Sequence, residues 1–557
     1  MSQSSDAATS QLLFDLNPEQ LEAVKRVSGA LVIRAGAGTG KTTTVSRRIA
    51  YGIATEHYRQ QRVLALTYTN RSAAELRARL RALGLGRVAV RTMHSAALAQ
   101  LQYFWPQLNG KQLPNLLFDK AAQIQAAGRK VLGQTLKPTI TQALQAELEW
   151  SKYSLTGIEG WSPTLRKPPA GLSETDLRAV LAEYERSKTE QNQLDWEDVL
   201  VLCLGMLLEQ PIALDEVRQQ YRHFTVDEYQ DFSPLQQQLL SLWIGDRSDI
   251  CVVGDERQAI FGFTGATSDY LIGFRDIFPN AAEVELTRNY RSASAIVELA
   301  NRVLSREPIR AERKLPGEVR LLRFANSKLE ATAVAKRIAE SISSGVEPQS
   351  IAILARTSFQ LVEVIEALSA ESVSVSASGN SNYWQQAEVR QALLMLRALQ
   401  GKSQPEPLFI ELHDILGALG WQPTPPADIS GGGSAVERWR RLDWFNQILE
   451  ELGETPTLDE YLRELTERQQ GNQEPKPTGV TVSTIHAAKG LEWSQVYLVG
   501  VCEGKFPHAS AIRSEQLSEE QRLLYVAVTR ARDLLVITQP GELAAAFRQA
   551  LESIQRI

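Results

Sequence analysis

The chain has 557 residues, room for about three or four domains of roughly 150 residues each. Its composition, 43% apolar and 22% charged, is ordinary for a soluble globular protein. A net charge of −5 excludes a global basic field, so a polyanionic partner would have to be held by local contacts.

The start, "MSQSSDAATSQ", has neither the positive n-region nor the apolar h-region of a secretory signal and reads as a short disordered lead-in. No apolar run approaches the roughly 18 residues of a membrane span, so no membrane partner is expected. The first strand candidate is "ALVIRA" (30–35), followed at once by "RAGAGTGKTTT" (34–44) and the helical "TTTVSRRIAYGI". Glycines in a strand–turn–helix setting let backbone N–H groups curl around phosphates. Ala35, Gly36, Ala37, Gly38, Thr39, Gly40, Lys41, Thr42 and Thr43 make up that candidate cradle. Lys41 can reach the β- and γ-phosphates of ATP, and the Thr42 hydroxyl suits Mg²⁺. Ala35 stands where the general pattern has its first glycine.

Two more strands, "RVLALTYT" (62–69) and "RVAVRT" (87–92), precede a strand-poor, helical stretch from about 98 to 195. "HFTVDE" (223–228) then ends in paired acids. Asp227 can hold Mg²⁺ through water, and Glu228 can orient and deprotonate an attacking water; alone, such a pair is as often merely solvated. "DICVVGD" (249–255) opens the stretch "VVGDERQAIFGFTGA", where Phe261 precedes Gly262 and Phe263 lies two residues before Gly265. Those rings either pack into a core or await a flat partner.

A second strand set follows: "SIAILAR" (350–356), "VTVSTIH" (480–486), "QVYLVGV" (495–501) and "DLLVITQ" (533–539). Between its members, 396–474 reads as helical, with a flexible break at "QPTPPADISGGGS" and a loop at "QQGNQEPKPTG". Fully apolar strands alternating with helices predict parallel sheets covered on both faces. The expected fold is α/β, with two parallel-sheet domains each carrying a mainly helical insertion. Cys203, Cys251 and Cys502 are isolated, which argues against a zinc site or disulfide scaffold and suits a reducing cytoplasm.

What the nucleotide is for emerges only from the ordered set "LNPEQLEAV", the P-loop, "ALTYTNRSAAELRARL", "RTMHSAALAQL", "VDEYQD", "VVGDERQAIFGFTGA", "LTRNYRS", "VSTIHAAKGLEW", "EGKFPH" and "EEQRLLYVAVTRARDLL". In that order and spacing the chain resembles the UvrD/Rep/PcrA-type superfamily 1 DNA helicases. The resemblance implies two RecA-like domains: 1–97 with 196–290, and 291–395 with 475–557. It implies helical insertions at 98–195 and 396–474, the second much shorter than in the large members. It implies ATP and Mg²⁺ as cofactors and single-stranded DNA or 3′-tailed duplex as partner. The protein would be a 3′→5′ translocase and helicase in repair or recombination, a monomer without DNA, open to a repair or nuclease partner. The alternative is a DNA-stimulated ATPase that remodels nucleoprotein or drives a nuclease or defence complex.

By resemblance, Gln20 reads adenine, Tyr290 stacks on it and Glu492 binds the ribose. Gln258 senses the γ-phosphate, and Arg291 and Arg530 clamp it from the second domain. Thr69, Asn70, Arg71, Thr92 and His94 would meet DNA in the first domain; Thr484, His486 and Lys489, with Ser483, would do so in the second. Phe261 and Phe263, taken as an extended segment with one parity, would stack on bases from one side. Phe263 and Thr264 depart from the Trp and Arg that relatives often carry there.

Overall fold

The computed structural model describes residues 9–552 and 554, apart from 118, 170, 305–308, 378–382, 401–406, 425–433, 454–455, 471–478, 510 and 512–516. Most of the expected lead-in, of the break at "QPTPPADISGGGS" and of the "QQGNQEPKPTG" loop lies outside the described residues. The chain divides into two units, Met1–Tyr290 and Arg291–Ile557. No helix among the described residues is long and apolar enough to cross a membrane.

The first unit is built on six strands: β1 (Leu31–Ala35), β2 (Val63–Thr67), β3 (Ala89–Thr92), β4 (His223–Val226), β5 (Ile250–Gly254) and β6 (Ala282–Leu286). They lie in the order β3-β2-β4-β5-β1-β6, and every pairing is parallel. Successive side chains leave a strand on opposite faces, and both faces are covered. Thus Val32 and Leu64 join a core with Leu101, Leu200 and Trp243, while Ile33 and Ala65 join another with Ile49 and Leu76. That is why β1, β2 and β5 read as largely apolar runs.

The first insertion has its own core, with Ile124, Leu144, Leu148, Trp161, Leu177 and Tyr184 buried among the helices Lys120–Leu132, Pro138–Tyr153 and Glu174–Glu190. Its expected start at 98 is too early. The helix Met93–Asn109 runs through that point, and its Leu98, Leu101 and Phe104 pack in the sheet core. The stretch is also not wholly helical, since Asn115–Leu116 pairs in parallel with Gln193–Leu194.

Three lysines stitch the insertion to the helix Trp196–Glu209. Lys152 meets Glu185, Asp195 and Asp198, each at 2.7 Å. Lys188 meets the same acids at 2.7, 2.9 and 2.5 Å. Lys120 bonds Glu197 at 2.6 Å and Glu149 at 3.0 Å. Glu185, Asp195 and Asp198 come close enough to hold a metal ion, but two ammonium groups already supply their counter-charge.

The second unit repeats the plan with β7 (Glu318–Arg323), β8 (Ile351–Ala355), β9 (Val375–Ala377), β10 (Val480–Thr484), β11 (Trp493–Leu498) and β12 (Ala531–Gln539). Their order is β7-β12-β11-β8-β10-β9, again all parallel. Helices Ala387–Arg397, Leu408–Ala418, Ser434–Leu452 and Leu458–Gln470 form the second insertion. Its core of Tyr383, Trp384, Trp421, Leu442, Phe445 and Tyr461 begins before the expected boundary at 396.

Candidate functional site

In a parallel sheet all carboxyl ends point one way, and ligands collect there. β1 runs into the P-loop, β4 into Asp227 and Glu228, and β5 into the Asp255–Gln258 turn, while β2 and β3 lead to Thr69 and Thr92. The candidate residues of the first unit therefore share one edge because of topology.

The P-loop closes through two left-handed glycines, Gly38 (φ +73°) and Gly40 (φ +82°). The backbone angle favours glycine at position 40, where a Cβ would also stand 2.7 Å from Gln20 Nε2 and push that side chain aside. Ala35 ends β1, fully packed, so the side chain in place of the usual glycine sits in the core. Thr39 is buried, with its hydroxyl on the Gly36 carbonyl at 2.9 Å. Lys41, Thr42 and Thr43 form the first turn of the helix Lys41–Ala54, whose N-terminal N–H groups favour an anion.

Neighbouring elements buttress this loop. Asn289 Nδ2 donates to the Ala37 carbonyl at 2.7 Å, and the Tyr290 amide to Gly38 O at 2.8 Å. Gln20 Nε2 donates to Thr39 O at 3.1 Å, while Gln20 Oε1 accepts the Asn17 amide in a capping box. Asn17 Nδ2 reaches the Tyr290 hydroxyl at 2.9 Å, leaving that ring 44% exposed beside the loop.

Charge concentrates below the cradle. Lys41 Nζ donates to Glu228 Oε1 at 2.7 Å. Burial would lower the Lys41 pKa, but Glu228, Asp227 and Asp255 together raise it. Burial and the adjacent Glu228 carboxylate push Asp227 up to about 6. Asp227, Glu228 and Asp255 face two cations, Lys41 and Arg257, which leaves one negative charge unmatched and fits a divalent cation arriving with a nucleotide's phosphates. Glu228 itself is held at φ +55°, a conformation that costs a non-glycine residue energy and clusters at functional sites.

Gln230, fully buried, ties this pair to the next turn. Its Nε2 donates to Glu228 Oε2 at 2.5 Å, and its Oε1 accepts the Asp255 amide at 3.0 Å. Asp255 in turn accepts Gln258 Nε2 at 2.8 Å and Arg257 Nε at 2.7 Å. Sequence reading had singled out Gln258 but neither Gln230 nor Asp255, although both lie inside the quoted motifs. The repeated alternation of acid and amide in "DEYQD" and "GDERQ" was the available signal.

The two rings differ from expectation. The segment is not extended: Gly262–Thr264 is a 3-10 turn, closed by Thr264 N on Phe261 O at 3.0 Å. The rings lie with centroids 6.3 Å apart and planes tilted by 55°. Phe261 stacks on Tyr68 with centroids 5.2 Å apart and planes 22° apart, whereas Phe263 is 45% exposed.

Comparison with known proteins matches this arrangement throughout the chain. Residues 16–279 match the UvrD/REP helicase N-terminal domain, and residues 284–408 and 422–540 the UvrD-like helicase C-terminal domain. The chain belongs to the UvrD-like helicase family. It is 37% identical over 564 residues to "ATP-dependent DNA helicase UvrD2" of Mycobacterium tuberculosis, covering 95% of this chain and 79% of that protein. "ATP-dependent DNA helicase PcrA" of Bacillus subtilis is 27% identical over 621 residues, covering 95% and 83%. The enzyme class expected from the motifs, an ATP-dependent DNA helicase, is that of the family.

Elsewhere in this helicase the expected nucleic-acid residues fall into two groups. Thr69 and Arg71 are exposed at the start of the helix Asn70–Ala82, where Thr69 Oγ1 caps Ser72 N at 3.1 Å; Asn70 is half-buried beside them. Thr92 is buried in a capping box with Ser95. His94 places Nε2 3.1 Å from the Tyr153 hydroxyl and lies edge-on to Trp196. Burial, helped by Lys120, lowers its pKa to about 4, so it is neutral at neutral pH and offers no cation to a phosphate.

In the second unit of the helicase, Arg291 pairs with Glu492, which also receives Arg532 at 3.6 Å. Arg530 donates to Leu491 O and Val526 O, both at 2.9 Å, and is 1% exposed. The Leu491–Glu492 segment thus gathers both expected phosphate-clamping arginines at one corner of the unit. Thr484 and Lys489 are half-buried at and just beyond the end of β10. His486 is held neutral near pKa 4 by burial, Arg356 and Lys489. Ser483 lies within β10 and is 1% exposed.

The raised pKa of Asp227 sets a pH dependence. Its folded value of about 6 lies above the ordinary 3.8, so the nucleotide-free helicase takes up a proton as pH falls through 6. Protonation removes the charge of this half-buried carboxyl and would weaken the hold on a divalent cation expected of it. The Mg²⁺ concentration needed for half-maximal ATPase should rise roughly ten-fold per pH unit below about 6. A titration of Mg²⁺ at stepped pH checks it; a flat dependence between pH 7 and 5 counts against Asp227 as a ligand.

Proposed function

We propose that this helicase moves 3′→5′ along single-stranded DNA and separates 3′-tailed duplexes, driven by ATP with Mg²⁺, in DNA repair or recombination. The observation supporting the coupling is the unbroken chain Lys41–Glu228–Gln230–Asp255–Gln258, which ends three residues before Phe261. A change at the phosphate end has only one short loop to cross before it reaches an exposed ring.

In this reading, backbone N–H groups from Gly36 to Thr42 bind the phosphates, Lys41 leaves Glu228 for them, and Tyr290 and Gln20 hold the adenine. Mg²⁺, when bound, would neutralise phosphate charge, with Thr42 and Asp227 as its protein ligands. Glu228, released from Lys41, accepts the proton of the attacking water. Gln258 reports on the γ-phosphate, and Arg291 and Arg530 of the second domain stabilise charge as the bond to it breaks. Glu492, now paired with Arg291, passes to the ribose. Phe263 stacks on bases without regard to sequence, worth about 1–3 kcal/mol per base. Thr69, Asn70, Arg71 and Lys489 supply phosphate and sugar contacts that position the strand.

The deciding measurement is ATPase with and without single-stranded DNA, then strand displacement on 3′- and 5′-tailed duplexes. Stimulation with preferred opening of the 3′ tail is expected. No stimulation, or preference for the 5′ tail, sinks the reading. Stimulated ATPase and translocation without strand separation would instead indicate a remodelling ATPase or a partner-dependent motor.

A further inference from the structure

The aromatic loop contributes no cation to its own outer turn. Thr264 directs its hydroxyl inward to Phe261 O at 2.8 Å, and Arg257 is drawn back onto Asp255. A cation arrives instead from the first insertion. Arg166 grips Glu147 through Nε at 2.8 and 3.1 Å and through one terminal nitrogen at 2.9 Å. Glu147 is itself anchored by Trp161 Nε1 at 2.9 Å, and the guanidinium lies over Trp150 at 5.1 Å. The remaining terminal nitrogen donates to the carbonyl of Phe263 at 3.3 Å. Two residues on, Gly265 (φ +97°) packs against Tyr153 Cβ and the Trp150 ring, at 3.3 and 3.5 Å from where a side chain would begin.

We propose that Arg166 is a positioning residue for base binding: it pins the Phe263 turn to the insertion so that the exposed ring is already in place when an unstacked base arrives. The inference rests on the proposed function for its ligand, while the brace itself concerns the free protein. Only a planar fork can hold a carboxylate along one edge, lie on an indole and still offer a donor to a third partner. Lysine has the charge but not that geometry. The brace thus runs from the insertion to the loop that follows Gln258, and one guanidinium links the two.

The test has two arms. In the DNA-free protein, hydrogen exchange at the Thr264 and Gly265 amides, which close the turn onto Phe261 and Gly262, should quicken in both Arg166→Ala and Arg166→Lys. With oligo(dT), the concentration giving half-maximal ATPase should rise by about three- to ten-fold in both variants, the effect of having to order one ring on binding. The rate at saturating oligo(dT) should change less than this concentration. Combined with Phe263→Ala, Arg166→Ala should add nothing further. Unchanged exchange overturns the brace, and quickened exchange without a shift in oligo(dT) dependence overturns its role in base binding. If Arg166→Lys keeps wild-type dependence, the side chain acts as a simple phosphate contact and the proposal fails. A wild type indifferent to oligo(dT) removes the helicase reading and the base-binding half, while exchange still decides the brace.

Discussion

Glu228→Gln is expected to lower ATP turnover by about 10²–10⁴-fold, the usual contribution of a positioned general base. It should also tighten nucleotide binding instead of merely sparing it. In the free enzyme Lys41 is engaged by Glu228 at 2.7 Å, so arriving phosphates must break a partly buried ion pair to recruit it. A neutral amide at 228 weakens that competitor and leaves Asp227 with less like charge beside it. Single-turnover hydrolysis gives the rate, and equilibrium titration with a slowly hydrolysed ATP analogue gives the affinity. Near-normal turnover would remove Glu228 from the role of base. Lost binding would show that the Lys41–Glu228 pair holds the cradle together and does not compete with the nucleotide.

Lys188→Met should destabilise the first unit by about 3–5 kcal/mol, the effect of removing one partner from a buried ion network. Lys188 is 2% exposed and shares Glu185, Asp195 and Asp198 with Lys152. Without it three acids depend on a single ammonium. Burial alone would raise the pKa of Asp195, but Lys152, Lys188 and Lys120 reverse this and hold it well below the usual carboxylate range. Such a group stabilises the fold above its unfolded pKa near 3.8 and loses that contribution as pH falls. In the variant this acid-labile contribution should shrink. Urea unfolding of wild type and variant at pH 7, and at a pH well below 3.8, measures both effects. A loss below 1 kcal/mol at pH 7 would mean that Lys152 alone satisfies the cluster.

The strands legible in the sequence were those covered on both faces. β1, β2, β5 and β8 are apolar at nearly every position because helices pack above and below them. The three strands missed from the two six-stranded sheets are all sheet edges. β6 ("AEVEL") alternates exposed glutamates with buried Val284 and Leu286, β7 has an exposed end, and β9 is only three residues long. An edge strand has one neighbour and less cover, so its apolar signal is halved. The cradle and the acid pair were likewise legible, because local spacing determines them. What escaped were partners that only folding brings together: Gln230 with Asp255, Asn17 with Tyr290, and Arg166 with Phe263. The extended reading of Phe261 and Phe263 failed because glycines on both sides of Phe263 let the chain curl, which parity arguments do not anticipate.

The order of strands in the first sheet bears on how the chain is made. β2 lies beside β4, yet about 155 residues separate them, and the whole first insertion must be synthesised in between. At roughly 5–20 residues per second, the apolar edge of β2 waits for about 8–30 seconds before its partner leaves the ribosome. β1 waits longer still, since both its neighbours, β5 and β6, come after that insertion. The nascent chain therefore carries β1 without either neighbour, and β2 with only β3 beside it, through most of the synthesis of its first half. Its yield in the cell should depend on whatever shelters those edges during that interval, more than on the stability of the finished sheet.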